Sequence, residues 1–212
     1  GKILLDFLFT AWGGKFEAGL DDQIIANLLR LNAFADVEHR RIDFALEGGG
    51  IETDGQGTLL STWHCLHERH PEKTREAISA ILIHELCQER VLWLEYGYLE
   101  GDDTDAHIDT LARFASSSRI IYQGCQDVND SHYEELQRMA AELAQFKQAN
   151  GAPYQLYELP WAQPVLDHGR RLAASYANFL IINGAVLMPI YKDIADAKAI
   201  AVMQKAFPEH EI

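Results

Sequence analysis

Apolar residues recur along this chain in short alternating runs, separated by stretches with helical spacing. Residues 2–9 (KILLDFLF) read as a strand ending at the loop Trp12-Gly13-Gly14. Asp21 is placed to cap a helix with Ile24, Ile25, Leu28, Leu29 and Leu31 at helical spacing. Residues 41–46 (RIDFAL) alternate as a strand, and Asp54-Gly55-Gln56-Gly57 turns the chain into a return strand at 58–63. A second helix is predicted over 71–86, with Pro71 in its first turn and Ile78, Ile81, Leu82 and Leu86 on one face. Strands at 91–94 and 119–123 follow, then a helix from an Asp130 or Ser131 cap to 148. Strand 154–158 and a Pro-rich loop through Pro160 and Pro164 come next. A hairpin over 178–189 turns on Asn183-Gly184, and a last helix starts near Ile194.

This order repeats. Helices starting near 72, 131 and 194 each follow a strand, at 58–62, 119–123 and 185–190, and the helix of 21–31 begins another such unit. Each unit reads as strand–strand–helix–strand. Asn-Gly and Asp-Gly hairpins argue against an all-parallel doubly wound sheet, so the expected class is α/β (α+β), with mixed sheets arranged radially in one domain over 1–212.

The densest chemistry lies at Gly101-Asp102-Asp103-Thr104-Asp105-Ala106-His107-Ile108-Asp109. If 105–109 is extended, Asp105, His107 and Asp109 share one face and Ala106 and Ile108 the other. A base beside an anion suits a cationic substrate. The plainer alternative is a core histidine satisfied by a carboxylate, but this much like charge is costly unless a cation arrives. A calcium loop starting at Asp103 fails, because loop positions six and twelve fall on Ile108 and Phe114. Glu47 precedes Gly48-Gly49-Gly50, which allow close approach; it is either a group orienting a histidine or a solvated strand end. The glycines are no dinucleotide fingerprint. His64, Cys65, His67 and His70 could ligate zinc, but without a second ligand pair elsewhere they read as a solvated loop before Pro71. Ser61, Ser131 and Ser175 lack a G-x-S-x-G context, and Cys65, Cys87 and Cys125 lack an activating one.

Charge and cysteine usage narrow the partners. The formal net charge is -14, which argues against nucleic acid or an anionic membrane surface and fits a small cationic substrate. Three scattered cysteines are no disulfide framework and point to a reducing cytoplasm. No apolar run approaches a membrane span of ~18 residues. The oligomeric state is left open, a homo-oligomer included.

Read together, the motifs carry a resemblance. Ala11-Trp12-Gly13-Gly14-Lys15, Glu47-Gly48-Gly49-Gly50-Ile51, Asp54-Gly55-Gln56-Gly57-Thr58, Asp102 to Asp109, and Ser175-Tyr176-Ala177-Asn178-Phe179 occur in this order. The set resembles the agmatine deiminase and bacterial-type peptidylarginine deiminase family. That resemblance implies a pentein, an α/β propeller of five ββαβ-like units around a central site, with no metal or organic cofactor. It implies hydrolysis of a guanidinium, agmatine first, to N-carbamoylputrescine and ammonia through a cysteine-bound amidino intermediate, within polyamine biosynthesis. An arginine or peptidyl-arginine substrate is the alternative, as is a non-catalytic binder of guanidino compounds. By the same resemblance Asp109 grips the guanidinium, His107 is the acid/base and Glu47 holds His107. Asp103 and Trp12 join Asp109 as substrate-binding residues. Where agmatine deiminases usually have Glu-Thr-Asp-Gly-His, this chain has Asp103 and Ala106 at the first and fourth places. The family's W-x-R-D-x-G-P segment and its nucleophile in G-G-x-H-C match nothing here. The chain is therefore expected to be an interior portion of a longer catalytic domain, about three and a half of five units, inactive alone.

Overall fold

A computed structural model describes residues 2–212. Strand β1 (Lys2–Leu8) leads through the single turn α1 (Ala11–Gly14) to helix α2 (Ile24–Arg30) and strand β2 (Val37–Ala45), which runs parallel to β1. Asp21 lies inside a 3-10 turn ahead of α2 and caps nothing; its neighbour Asp22 accepts instead from the Phe9 amide at 2.8 Å. None of the apolar residues of α2 is buried.

Two complete repeats follow. β3 (Glu52–Thr53) and β4 (Thr58–Thr62) form the expected hairpin, helices α3 (Trp63–Arg69) and α4 (Arg75–Glu85) cross over, and β5 (Arg90–Leu94) returns parallel to β4. The Asp54 carboxylate closes the turn, accepting from the amides of Gln56 and Thr58 at 2.8 and 2.9 Å. β6 (Ala112–Ser116) pairs antiparallel with β7 (Arg119–Gln123), α5 (Tyr133–Gln145) crosses over, and β8 (Gln155–Leu159) lies parallel to β7. After the short ribbon β9 (Leu166–Asp167) and β10 (Arg170–Arg171), hairpin β11 (Leu180–Ile182) and β12 (Ala185–Leu187) precedes α6 (Asp196–Ala206). The predicted ββαβ order is thus present twice in full, flanked by a βαβ and a ββα segment. No closed ring forms among the described residues.

Two element assignments need correction. The second helix begins at Arg75 behind a Thr74 cap, with Pro71 in the turn before it. Residues 63–69, read as strand end and solvated loop, are α3, capped by Thr62.

Burial follows the repeat. One apolar cluster joins β2 and β4 to α3 and α4, through Phe44, Leu59, Leu66 and Ile78. A second centres on Leu111, Ile120 and Met139 beneath α5, and a third on Tyr176, Phe179 and Met203 beneath α6. No helix among the described residues is long and apolar enough to cross a membrane.

Candidate active site

The loop starting each repeat faces a common open cleft of about 520 Å³. Gly48, Gly49 and Glu52 line it from one unit, Asp109 and Arg113 from the next, and Asn178 and Phe179 from the third.

Glu47 leaves β2 with extended backbone, and Gly48–Gly50 make a 3-10 turn directly after it. Its carboxylate is buried, so it is not a solvated strand end. Oε2 accepts from Arg69 Nε at 2.5 Å and lies 3.3 Å from His107 Nε2, while Oε1 has no partner. Burial would raise its pKa, but the hydrogen bond from His107 and the Arg69 cation outweigh burial and hold it below the usual carboxylate value.

The segment before His107 is not extended. Asp105 and Ala106 take left-handed backbone angles, φ 61° and 65°, and His107 then enters a 3-10 turn over Ile108–Thr110. The Asp102 carboxylate organises the bend, accepting from the Thr104 amide at 2.9 Å and the Ala106 amide at 2.8 Å. The alternating-face expectation therefore fails at Asp105, whose carboxylate turns to Lys15 at 2.6 Å. It holds in outcome for the other two acidic-face residues. His107 Nδ1 and Asp109 Oδ2 converge on Gly49, lying 2.6 and 2.7 Å from where a Cβ would stand there. Ala106 and Ile108 are buried on the opposite side.

Asp109 Oδ1 is buried without a hydrogen-bond partner. Burial raises the Asp109 pKa, with the Asp102 charge adding to it and His107 and Arg113 opposing. A desolvated carboxylate beside a histidine, at the wall of an open cleft, is a place for an incoming cation with N–H donors.

Several site residues carried no signal in the sequence. Arg69 sits in the last turn of α3 with its side chain 0% exposed. Arg113 pairs with Glu52, donates to the Phe179 carbonyl and stacks 4.5 Å from the Phe179 ring centroid. Charge spacing marks none of these, because their partners are distant in sequence: Glu47 and Thr104 for Arg69, Glu52 and Phe179 for Arg113. Gly49 was legible as a close-approach glycine, though not what approaches it.

Other candidates are dispersed. Asp103 is half exposed and pairs with Arg170 at 3.2 Å. Trp12, at φ 58°, packs edge-on against Phe9 and Phe16 in a separate open pocket of about 450 Å³. Its loop still touches the acidic segment, since Lys15 Nζ donates to the Asp103 carbonyl at 2.7 Å.

The zinc quartet is not assembled. His64 is exposed, His67 stacks on Trp63, and His70 stacks on Phe44 while its Nε2 meets the Ala45 carbonyl at 2.9 Å. Cys65 instead joins Glu47 and His107, one donor atom from each lying within 4.8 Å of the others. These are metal-binding atom types, but the Arg69 guanidinium already holds Glu47 Oε2 and lies 3.4 Å from His107 Nε2, a fixed positive charge that opposes a cation among them. Burial also pushes the Cys65 thiol up to about 12, which leaves it protonated at neutral pH.

Repeated ββαβ units opening onto one cleft define the class, an α/β protein of pentein type. The chain belongs to the Porphyromonas-type peptidyl-arginine deiminase family, whose model matches residues 2–212. It is 34% identical over 230 residues to the agmatine deiminase of Pseudomonas fluorescens, covering 96% of this chain and 61% of that protein. Among solved structures, the agmatine deiminase of C. jejuni with substrate bound superposes with a TM-score of 0.91 at 40% identity, over 98% of this chain and 61% of that one. The enzyme from Enterococcus faecalis gives 0.85 at 31% identity, over 98% and 63%. The chain thus spans about three fifths of the proteins it matches.

Proposed function

We propose that this chain is the acid/base and substrate-gripping portion of a longer agmatine deiminase-like hydrolase. The observation that carries the reading is the convergence of His107 Nδ1 and Asp109 Oδ2 over Gly49, with Asp109 Oδ1 left unpartnered. A guanidinium is planar, permanently charged and has donors on every nitrogen, so it satisfies a carboxylate two bonds at a time. Gripped by Asp109, it presents its carbon to the cleft beside His107.

A cysteine thiolate adds to the guanidinium carbon, forming a C–S bond, and the departing nitrogen takes a proton from the His107 imidazolium as the C–N bond breaks and ammonia leaves. His107, now neutral, accepts a proton from water as its oxygen bonds to the amidino carbon. As the C–S bond breaks and the thiolate is restored, the carbinol oxygen becomes the ureido carbonyl and its remaining proton passes to solvent, where it meets the released ammonia. Glu47 holds the histidine through both steps. The thiolate is assigned to sequence outside these 212 residues, because Cys65 and Cys125 are buried thiols with raised pKa values and Cys87 is exposed and does not line the cleft. Asp103 and Trp12 are assigned to the substrate's tail on the contact of their loops alone. Agmatine is the substrate of first choice, with arginine and peptidyl-arginine next.

Ammonia release by the full-length gene product tests this directly. Turnover of agmatine in preference to arginine and peptidyl-arginine is expected. A folded protein that releases ammonia from none of the three would overturn the reading. Alanine at His107 or Asp109 is expected to lower kcat/KM by ~100-fold or more.

A further inference from the structure

We infer that Arg69 is the positioning residue that fixes which nitrogen of His107 carries the proton. The inference rests on the catalytic reading above for its consequence, but not for its geometry.

Arg69 is wholly enclosed, and its donors reach three separate segments. Nε donates to Glu47 Oε2 at 2.5 Å, Nη1 to the Cys65 carbonyl at 2.7 Å, and Nη2 to the Thr104 carbonyl at 3.1 Å. Asp105 Oδ2 lies 4.0 Å from Nη1. One planar fork thus ties the glycine turn, α3 and the bend before His107 to a common geometry.

The consequence follows from donor and acceptor identity. His107 Nε2 has two neighbours, Glu47 Oε2 at 3.3 Å and Arg69 Nη2 at 3.4 Å. An arginine only donates and a carboxylate only accepts, so Nε2 serves one or the other. Arg69 Nη2 gives one of its two N–H groups to the Thr104 carbonyl at 3.1 Å, and of the two contacts at Nε2 the one to the Glu47 carboxylate is the shorter and brings a full negative charge. Nε2 is therefore the protonated nitrogen and donates to Glu47. In the neutral imidazole, Nδ1 keeps its lone pair and faces Gly49 beside Asp109, the two residues that line the cleft there. Without Arg69, Glu47 Oε2 loses its anchor, Oε1 already has none, and the carboxylate is free to turn away. The other tautomer then puts the lone pair on the wrong side of the ring. A fixed carboxylate that selects a tautomer is worth large factors in catalysis.

A merely structural arginine would cost stability and little else, so the test separates the two. In the full-length protein, Arg69→Lys keeps the charge but cannot reach all three acceptors in one plane. We expect a folded enzyme with kcat lowered ~10- to 100-fold and KM for agmatine changed less than about threefold. The ¹⁵N imidazole resonances of His107, read at a pH where the ring is neutral, are expected to show a protonated Nε2 in the wild type. They should show a mixture of tautomers in Arg69→Lys. Arg69→Met should show the same loss more strongly, and if it does not fold the lysine variant decides. A lysine variant with near-wild-type kcat, or an unchanged tautomer, overturns the inference. If the wild type turns over no guanidino compound the functional reading falls, while the nitrogen resonances still judge Arg69.

Discussion

Two residues at the cleft make opposite demands on activity and on stability. Gly49 has no positive φ to accommodate, so its backbone would tolerate a side chain; what forbids one is the 2.6 Å approach of His107 Nδ1 and the 2.7 Å approach of Asp109 Oδ2. Gly49→Ala should drive the two groups apart and lower kcat/KM by ~100-fold, since near-attack geometry fails with shifts of about 1 Å. An alanine variant with wild-type kinetics would mean that the cleft does not use that gap. Asp109 makes the reverse bargain. Its pKa is raised by burial, so the folded chain holds that proton at pH values where the unfolded chain has lost it, and stability falls as pH rises through that window. Asp109→Asn should then raise Tm at neutral pH while removing turnover. Guanidinium binding to the wild type should weaken as pH drops through the raised value, above the ordinary aspartate range. Calorimetric melting and KM against pH check both; an asparagine variant that melts lower at pH 7 contradicts the sign.

At the scale of elements, α3 is the hinge of the site and the element hardest to read. It is seven residues long, and the alternating Thr58-Leu59-Leu60-Ser61-Thr62 runs into Trp63 without a break, so strand periodicity masks the cap. Yet Thr62 does two jobs there: its Oγ1 accepts from the Cys65 amide at 3.4 Å and donates to the Ala106 carbonyl at 2.6 Å. Thr62→Ala should cost about 1–2 kcal/mol by denaturant unfolding and loosen the bend before His107. No change in midpoint would show that the bend is held by Asp102 and Arg69 alone. The strands and longer helices were legible from apolar patterning, most clearly in α5, where Leu136, Met139 and Leu143 recur at helical spacing and are buried. Asp54-Gly55 and Asn183-Gly184 marked their turns by chemistry alone. The segment 105–109 was misread because alternation assumes extended backbone, and two successive left-handed residues reset which face each side chain takes. His107, Asp109 and Glu47 were singled out by residue type and motif, and the structure brings them together around Gly49 and Arg69; Arg69, Arg113 and Glu52 were not singled out, since pairing between residues far apart in sequence leaves no trace in local spacing.

On the scale of the whole molecule, the cleft is lined by the Asp109 carboxylate and the Arg113 guanidinium, with His107 close behind at Gly49, and none of the three cysteines lines it. Cys65 is 0% exposed and its pKa is raised to about 12; Cys125 is also buried, and Cys87 is the exposed one of the three. The chain spans 61% of the Pseudomonas fluorescens and C. jejuni proteins it matches. The expected result is that a full-length variant carrying Cys65→Ala, Cys87→Ser and Cys125→Ala keeps kcat for agmatine within about fivefold of wild type once its fold is verified by circular dichroism. Cys65→Ala removes a packed sulfur from a cluster with Leu66 and Ile78, so a lower Tm is expected with it. Trapping during turnover should label a cysteine outside these 212 residues. If the triple variant is folded and inactive while Cys87→Ser with Cys125→Ala is active, Cys65 would be the nucleophile. The Arg69 cation beside it would then have to hold a thiolate against the burial that otherwise keeps it protonated.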